Sequence, residues 1–437
     1  MNDNKPKIDA TNPLYPQQQR KREDFHAVKG GTDSIRAGGS RYLPLYAGET
    51  EKEHSRRVAQ STIDGLVMMG VDALSGKVFY EEIDVSKVRI DAAWLENFDN
   101  EGTSFNDFAR QAFNHSFDGF SLLFVDGPPE TPELAQEKQR LGAEADKKYN
   151  LRPYARIYTA ANVFDWHYTV NPVTRIKELT FLKLKEVEEF LTDTLEHGEI
   201  IRYRLLRLTN GVVTWELYEE RENAKKEKEF ILVGSGKIER VTKIPIRTIG
   251  CLTDDPKLLN LSRIEIKNFD LESIYGAGER NQFPTLYSKG YSTEEYGPIL
   301  VGATAHIQLP ADENAGVGYI QPDPAYLKEL KATFTENKAV IKAQLSQIEN
   351  VSVEKTATES EINSRDKEAR LVVWADELKD ALEGTLQFMA QMAGMGDDAG
   401  GEIVLRTAWV VQQEKAEMQQ QQQHEQTLEV KKAAMKN

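Results

Sequence analysis

A chain of 437 residues, 40% hydrophobic and 29% charged, has the make-up of an ordinary folded protein with room for two or three domains. Its formal net charge of −15 excludes a protein that coats nucleic acid over its whole surface, because nonspecific affinity comes from neutralising phosphates. A local basic feature in an acidic frame stays possible, and it would suit a wall along which DNA slides rather than stops.

No apolar run approaches the roughly 18 residues that cross a bilayer, and the stretch MNDNKPKIDATNPLYPQQQRKRED lacks the apolar region of a secretory signal. A soluble protein not secreted by that route, with no membrane partner, is expected. Cys251 stands alone, which excludes an intramolecular disulfide and a cysteine-based zinc site and suits a reducing compartment. A lone cysteine is read as a small buried hydrophobe.

In chain order, residues 1–40 are polar, with the basic triplet Arg20, Lys21, Arg22 and the pairs Gly30-Gly31 and Gly38-Gly39, and read as a flexible, solubilising arm. The glycine pairs lack the lysine and Ser/Thr spacing of a phosphate loop. A helix over about 50–74 follows, burying Val58, Ile63, Leu66, Val67 and Val71, then a short strand over 79–83. Asp99 to Gly102 punctuates a turn; it lacks the ligand alternation and terminal Glu of a calcium loop. Ser104 with Asp107 caps a helix that buries Phe105, Phe108, Ala112 and Phe113, and Ser121 to Val125 is an apolar strand. Residues 133–149 read as a charged helix, and RPYARIYTAANVFDWHYTV as extended chain with a turn at 160–162.

From Ile176 to Cys251 the apolar period becomes two, which predicts an antiparallel meander of four to six strands with turns at Asn210-Gly211 and Ser235-Gly236. The charged run 219–228 is a hairpin tip or loop. A long helix over 258–281 places Leu259, Ile266, Phe269, Ile274 and Tyr275 at helical spacing, with Glu265, Lys267, Asp270, Glu272 and Glu279 making its other sides polar. Strand-like pieces follow at 286–287, 299–301, 305–309 and 317–320.

Residues 324–395 then organise the chain. Leu327, Leu330, Phe334, Ile341, Leu345 and Ile348 fall on one face of a helix over 325–348. Beside that stripe Lys331, Lys338 and Lys342 lie within roughly 40° of one another at about 100° per residue, with Lys328 adjacent. The lysines are read either as a solvated face or as facing a polyanion. After a polar break at 349–357, Thr358 and Glu361 have capping-box spacing and start a helix to about Met392, whose apolar stripe includes Trp374, Leu378, Leu382, Leu386 and Met389. At about 1.5 Å per residue the two helices span on the order of 35 and 50 Å, which suggests a subunit that packs against copies of itself. A strand over 403–411 and a frayed, Gln-rich helical tail close the chain.

Several stretches in this order resemble the portal proteins of tailed double-stranded DNA bacteriophages: LPLYAGETEKEHSRRV, NEGTSFNDFARQAF, FVDGPP, LRPYARIY, NVFDWHYTVN, KIPIRTIG, LLNLSRIEIKNFD and TATESEINS, over residues 41–411. The resemblance implies an α+β portal fold: an N-terminal arm (1–40), an α/β wing (41–257), a stem of two helices (258–285 and 323–348), a small β-rich clip (286–322), a tunnel loop (349–357), a long wing helix with a returning strand (358–411) and a short crown-like tail (412–437). It implies a ring, usually of twelve copies, at one capsid vertex of the virion, assembled in the bacterial host cytoplasm. That ring conducts double-stranded DNA in during packaging and out on ejection, without sequence specificity. Its implied partners are other copies of itself, terminase, the head-tail adaptor and the major capsid and scaffolding proteins. No cofactor, metal or catalytic residue is implied. Lys331, Lys338, Lys342 and Lys355 would face DNA, and Glu349, Asn350, Val351, Ser352, Val353, Glu354 and Lys355 would form the tunnel loop. The tail is shorter and richer in glutamine than a full helical crown.

An enzyme is the rival class, but His26, His54, His115, His167, His197, His306 and His424 form no HExxH or other metal spacing, and no GxSxG elbow is present. A head-tail adaptor or minor capsid protein is the second alternative; adaptors are usually much shorter and lack paired stem helices around a clip.

Overall fold

The computed structural model describes residues 7–128, 136, 140, 148–172, 174–192, 195–223, 225–281, 285–290, 294, 316–320, 325–349, 357–396, 398–415, 418–419 and 421–422, leaving aside the side chains of 280–281, 285–286, 319–320, 347–349 and 357–369. The helices are α1 (Tyr15–Lys29), α2 (Gly31–Ala37), α3 (Glu51–Gln60), α4 (Leu66–Val78), α5 (Ala92–Glu96), α6 (Phe105–Ser116), α7 (Leu259–Asn281), α8 (Ala325–Glu349) and α9 (Ala357–Met392). The strands are β1 (Ser121–Asp126), β2 (Tyr154–Thr159), β3 (Val163–Val170), β4 (Lys177–Leu191), β5 (His197–Thr209), β6 (Val212–Glu222), β7 (Lys228–Ile238), β8 (Ile246–Ile249), β9 (Thr285–Lys289) and β10 (Gly316–Ile320). The fold is α+β, in two units.

The first unit holds residues 1–26, 67–259 and 344–437. Leu122 to Val125 are all apolar and fully buried, so β1 is a central strand covered on both faces. It pairs antiparallel with β2 and β8, and α6 and α9 pack on the sheet. The Ser104 hydroxyl accepts from the Asp107 backbone N–H and caps α6, whose apolar stripe is buried as the spacing predicts. On α9, Leu371, Ala375, Leu378, Leu382, Leu386 and Met389 are buried. The period-two region forms a five-stranded meander in the order β3-β4-β5-β6-β7. Asn210 (φ 51) and Gly211 (φ 76) both take left-handed backbone, the two-residue hairpin turn that Asn-Gly favours.

Four charges, Arg204 buried and three partly buried, link the two sheets of this unit. Arg204 on β5 pairs with Glu186 on β4 and, at 3.4 Å, with Asp126 on β1; Arg156 on β2 lies 3.9 Å from Glu186. Tyr158 donates to Glu186 at 2.7 Å. Burial pushes the Glu186 carboxyl up, but Arg204, the Tyr158 hydroxyl and Arg156 outweigh it and hold it below its ordinary value. Burial dominates at Asp126 and raises it.

Several expectations are corrected. Residues 15–37 are helical rather than a flexible arm, and Gln18, Arg22 and Phe25 on α1 are buried. Arg22, read as part of a solubilising triplet, stacks over Phe120 at 5.4 Å and donates to the Asp118 carbonyl, and Lys21 pairs with Asp255 at 2.6 Å. The helix expected over 50–74 is two helices, because the chain turns extended at Ser61 and left-handed at Gly65 (φ 72). In place of strands at 79–83 and 403–411 there is one isolated bridge, Asp84 to Val404, and residues 408–415 are helical. Cys251 is exposed, because it sits in the turn after β8 with its N–H bonded to Asp254. The helix expected over 133–149 and the strands at 299–301 and 305–309 lie largely or wholly outside the described residues, as do the Thr358 and Glu361 side chains.

The second unit holds residues 27–66 and 260–343. Ala27, Ile35, Tyr42, Leu43 and Phe269 form its apolar cluster, with Val58, Ile63 and Ile266 against them. The backbone N–H and hydroxyl of Thr50 and the Glu53 carboxylate close a capping box at the start of α3. Strands β9 and β10 pair antiparallel, Thr285 opposite Ile320 and Lys289 opposite Gly316.

Glu186→Gln should destabilise the first unit by about 3 kcal/mol at pH 7 by leaving Arg204 under-compensated in a buried site. Because the folded state holds Glu186 below 4.5, its contribution is present above that value and is lost as pH falls through the folded value, so the gap between wild type and variant in chemical denaturation should close in acid. Asp126→Asn should cost less at pH 7, because burial already favours the protonated form of Asp126.

Candidate functional site

The α7 sequence LNLSRIEIKNFDLESIY sets small or polar residues among its apolar ones, and the structure buries four of them. Ser262, Glu265, Asn268 and Ser273 are all less than a tenth exposed, so Glu265, expected on an outer face, is an inner residue. Three of them have a defined task. The Glu265 carboxylate accepts the Leu66 backbone N–H at 2.6 Å. Asn268 donates to the Phe334 carbonyl at 3.2 Å and accepts from Asn337 at 2.8 Å. Ser273 accepts from Arg57 at 2.8 Å.

Arg57 is the hub at the other end of this stripe. Its guanidinium donates to Glu49, Asp270, Ser273 and the Pro44 carbonyl, and lies 4.9 Å over the Tyr46 ring. The Tyr46 hydroxyl donates to Asp270. Burial raises the Asp270 carboxyl even against Tyr46 and Arg57, while the Arg57 hydrogen bond, ahead of a weak opposing burial, lowers Glu49.

Against α7 lies α8. Leu327, Leu330, Phe334, Ile341 and Leu345 are buried as their spacing predicts. A Cβ at Gly278 would lie 2.6 Å from Leu327, so that glycine permits the close approach of the helices, and Tyr275 meets Phe334 edge-on at 5.4 Å. Sequence spacing places Lys331, Lys338 and Lys342 on one side of α8, but the structure separates their roles. Lys338 is half-buried, with its ammonium 2.6 Å from both Asp64 and Glu272. Burial lowers its pKa, but the two carboxylates outweigh this and raise it; burial also raises Glu272. Two carboxylates therefore flank the Lys338 ammonium, while the other lysines of this side meet solvent. Lys328, Lys331 and Lys342 are exposed, and Lys331 lies 5.8 Å over the Tyr275 ring. Glu349 ends α8, and Asn350, Val351, Ser352, Val353, Glu354 and Lys355 lie outside the described residues.

A cleft of about 240 Å³ opens here, lined by Gln60, Thr62, Glu272, Tyr275, Phe334 and Lys338 among others. Among the described residues no group of three or more His, Cys, Asp or Glu side chains is placed to hold a metal ion. What the arrangement can do is electrostatic and mechanical: a helix pair fixed in register presents exposed ammonium groups along one side. Lys331 and Lys342 are about 16 Å apart along the helix.

Sequence reading missed Arg57, Asp64 and Asn268. Asn268 had a signal, being a polar residue at i+3 from Glu265 and i−4 from Glu272 in line with buried positions. Arg57 and Asp64 lacked one, because the partners that place them against α7 and α8 lie more than 200 residues away in the chain.

Asn268→Ala should cost about 1–3 kcal/mol, since it removes both hydrogen bonds that Asn268 makes to α8. Lys338→Met should cost about 1 kcal/mol, because its ion pairs are partly screened by solvent, and Lys331→Met should stay within about 0.5 kcal/mol. The Lys338 contribution, from a raised folded-state pKa, is present below 10.5 and should vanish as pH rises through the folded value, as followed by thermal melts of both proteins.

Residues 257–393, from the residues that lead into α7 to the end of α9, match a family model described as a domain of unknown function, DUF4055, a domain commonly found in phage proteins. No curated protein matches the chain.

Proposed function

We propose that this chain is the portal subunit of a tailed bacteriophage. In this reading a dodecameric ring at one capsid vertex conducts double-stranded DNA during packaging and ejection and serves as the docking platform for terminase and the head-tail adaptor. The observation that carries the reading is the order of elements within the matched region: α7, the β9–β10 ladder, α8 and the long α9, with α8 buried along its apolar stripe and lysine-bearing on an exposed side. A domain commonly found in phage proteins supports the phage setting.

In this reading α7 and α8 are the stem, β9 and β10 belong to the clip, the link from Glu349 to Ala357 is the tunnel loop, and the first unit contributes most of the wing. Lys331 and Lys342, repeated around the ring and joined by Lys355 from the loop, present positive charge to phosphates without reading base edges. Lys338 acts one step back, holding α8 to α7 through Glu272. The protein hydrolyses nothing itself, and the scaffolding and major capsid proteins surround it at the vertex of the virion. Among the described residues no helix is long and apolar enough to cross a membrane.

Electron microscopy of the purified protein tests the ring: twelvefold particles with a central hole are expected, and monomers or closed globular particles would overturn it. Lys331→Gln with Lys342→Gln should leave the ring intact and change the length of DNA packaged or retained in assembled heads. Unchanged DNA content in intact rings would remove these two lysines from the channel.

A further inference from the structure

The five-stranded sheet of the first unit carries an apolar socket on one face. Phe164, Phe181, Tyr203, Leu205, Tyr218 and Phe230 surround it, with Tyr203 edge-on to both Phe164 and Phe230 at 5.6 Å. Into it goes one side chain from the N-terminal segment, Ile8, which is 2% exposed while Lys7, Asp9 and Ala10 on either side are exposed.

The socket also contains a reader of main chain. Lys183 on β4 is 3% exposed, and its ammonium donates to the carbonyl of Ile8 at 3.1 Å and to the carbonyl of Ala10. A buried ammonium without acceptors is costly, so this position requires an occupant that brings carbonyl oxygens, which an extended peptide does at every residue. Burial lowers the Lys183 pKa, and Asp165 and Asp9 act against it. A third contact sets the register: the Asn12 N–H donates to the Phe164 carbonyl at 2.8 Å and its side-chain amide to Asp165 and to the Trp166 carbonyl.

Residues 7–12 add no strand to the sheet, and their attachment is one buried side chain with a few hydrogen bonds. Such an element opens well before the sheet beneath it does. Pro13 and Leu14, which join it to α1, are exposed.

We propose that this socket is a docking site for an extended segment with one aliphatic anchor, and that residues 7–12 are an exchangeable arm whose place is taken by the same segment of a second copy. The second copy is the occupant the chemistry favours, because it brings the same Ile8, the same carbonyls and the same Asn12. Contacts made within a chain and between chains are then equivalent, and exchange costs only the opening of the 13–14 link. The inference needs a second copy but not a ring.

The test uses the full chain. A chain with a diazirine leucine analogue at position 8 is coexpressed with a chain that keeps Ile8 and carries Thr209→Ser, an exposed position that marks the glutamate-to-glutamate peptide 200–216 containing Tyr203 and Leu205. After irradiation and digestion at glutamate, crosslinks to the peptide that carries Thr209→Ser are expected. Crosslinks confined to the peptide that keeps Thr209, or none to residues 200–216, would overturn the exchange. Independently, a chain lacking residues 1–12 should bind a labelled peptide of residues 5–14 saturably, and at least tenfold more weakly when the peptide carries Ile8→Asp or the chain Lys183→Met. Absence of saturable binding to a truncated chain with unchanged circular dichroism would overturn the docking site itself.

Discussion

The polar stripe buried along α7 constrains the second unit more than any apolar contact in it. Leucine and phenylalanine on α8 specify register against α7 less sharply, because apolar packing is weakly directional. Asn268 specifies it sharply: its amide must meet both the Phe334 carbonyl and Asn337, and one turn in either direction leaves buried donors and acceptors unpaired. Glu272 and Lys338 repeat the constraint about one turn further along, and Arg57 repeats it through Ser273 and Asp270. Buried polar groups contribute register here rather than net stability, which is the best-attested use of such groups.

That constraint decides what the lysines of α8 can do. A side chain facing α7 meets carboxylates, and one turned past the contact meets solvent, so three lysines within a narrow arc divide between structure and surface. The same division runs through the molecule. Among the described residues Arg22, Arg57, Arg152, Lys183 and Arg204 are less than a tenth exposed, against only Asp118 and Glu265 among the acids. Basic side chains are preferentially drawn inside, where guanidinium groups satisfy several carbonyls and carboxylates at once. Among the described residues the surface is therefore weighted toward acids, and exposed lysines in a row stand out against it.

Period was legible in the sequence along the longest apolar faces. The stripe of α6, the meander from β3 to β7 and the long helices α7, α8 and α9 follow from spacing alone, and Asn210-Gly211 marks a real hairpin. Reading failed where a buried face is itself polar. On α1 the inward positions include Gln18 and Arg22 as well as Phe25, so half of its signature resembles a solvated tail. Arg22 is inside because Phe120 and the Asp118 carbonyl receive it, and neither is visible locally. The break between α3 and α4 was hidden for a different reason: apolar residues continue through it, and the backbone at Ser61 and Gly65 reveals it. The candidate site divides the same way, with the lysines legible and the carboxylates that neutralise one of them not.

Each unit contains a buried arginine that holds two carboxylates. In the first, Arg204 holds a carboxylate from each of two sheets, Asp126 from one and Glu186 from the other. In the second, Arg57 holds Glu49 before α3 and Asp270 on α7. Each arginine joins pieces of chain whose apolar faces alone would leave their relative position loosely defined. A planar guanidinium with five donors suits this, since it fixes direction as well as distance, and a lysine in its place would fix only distance. In the proposed ring such fixed geometry would matter twice, because slack inside one copy would be repeated at every contact it makes with the next.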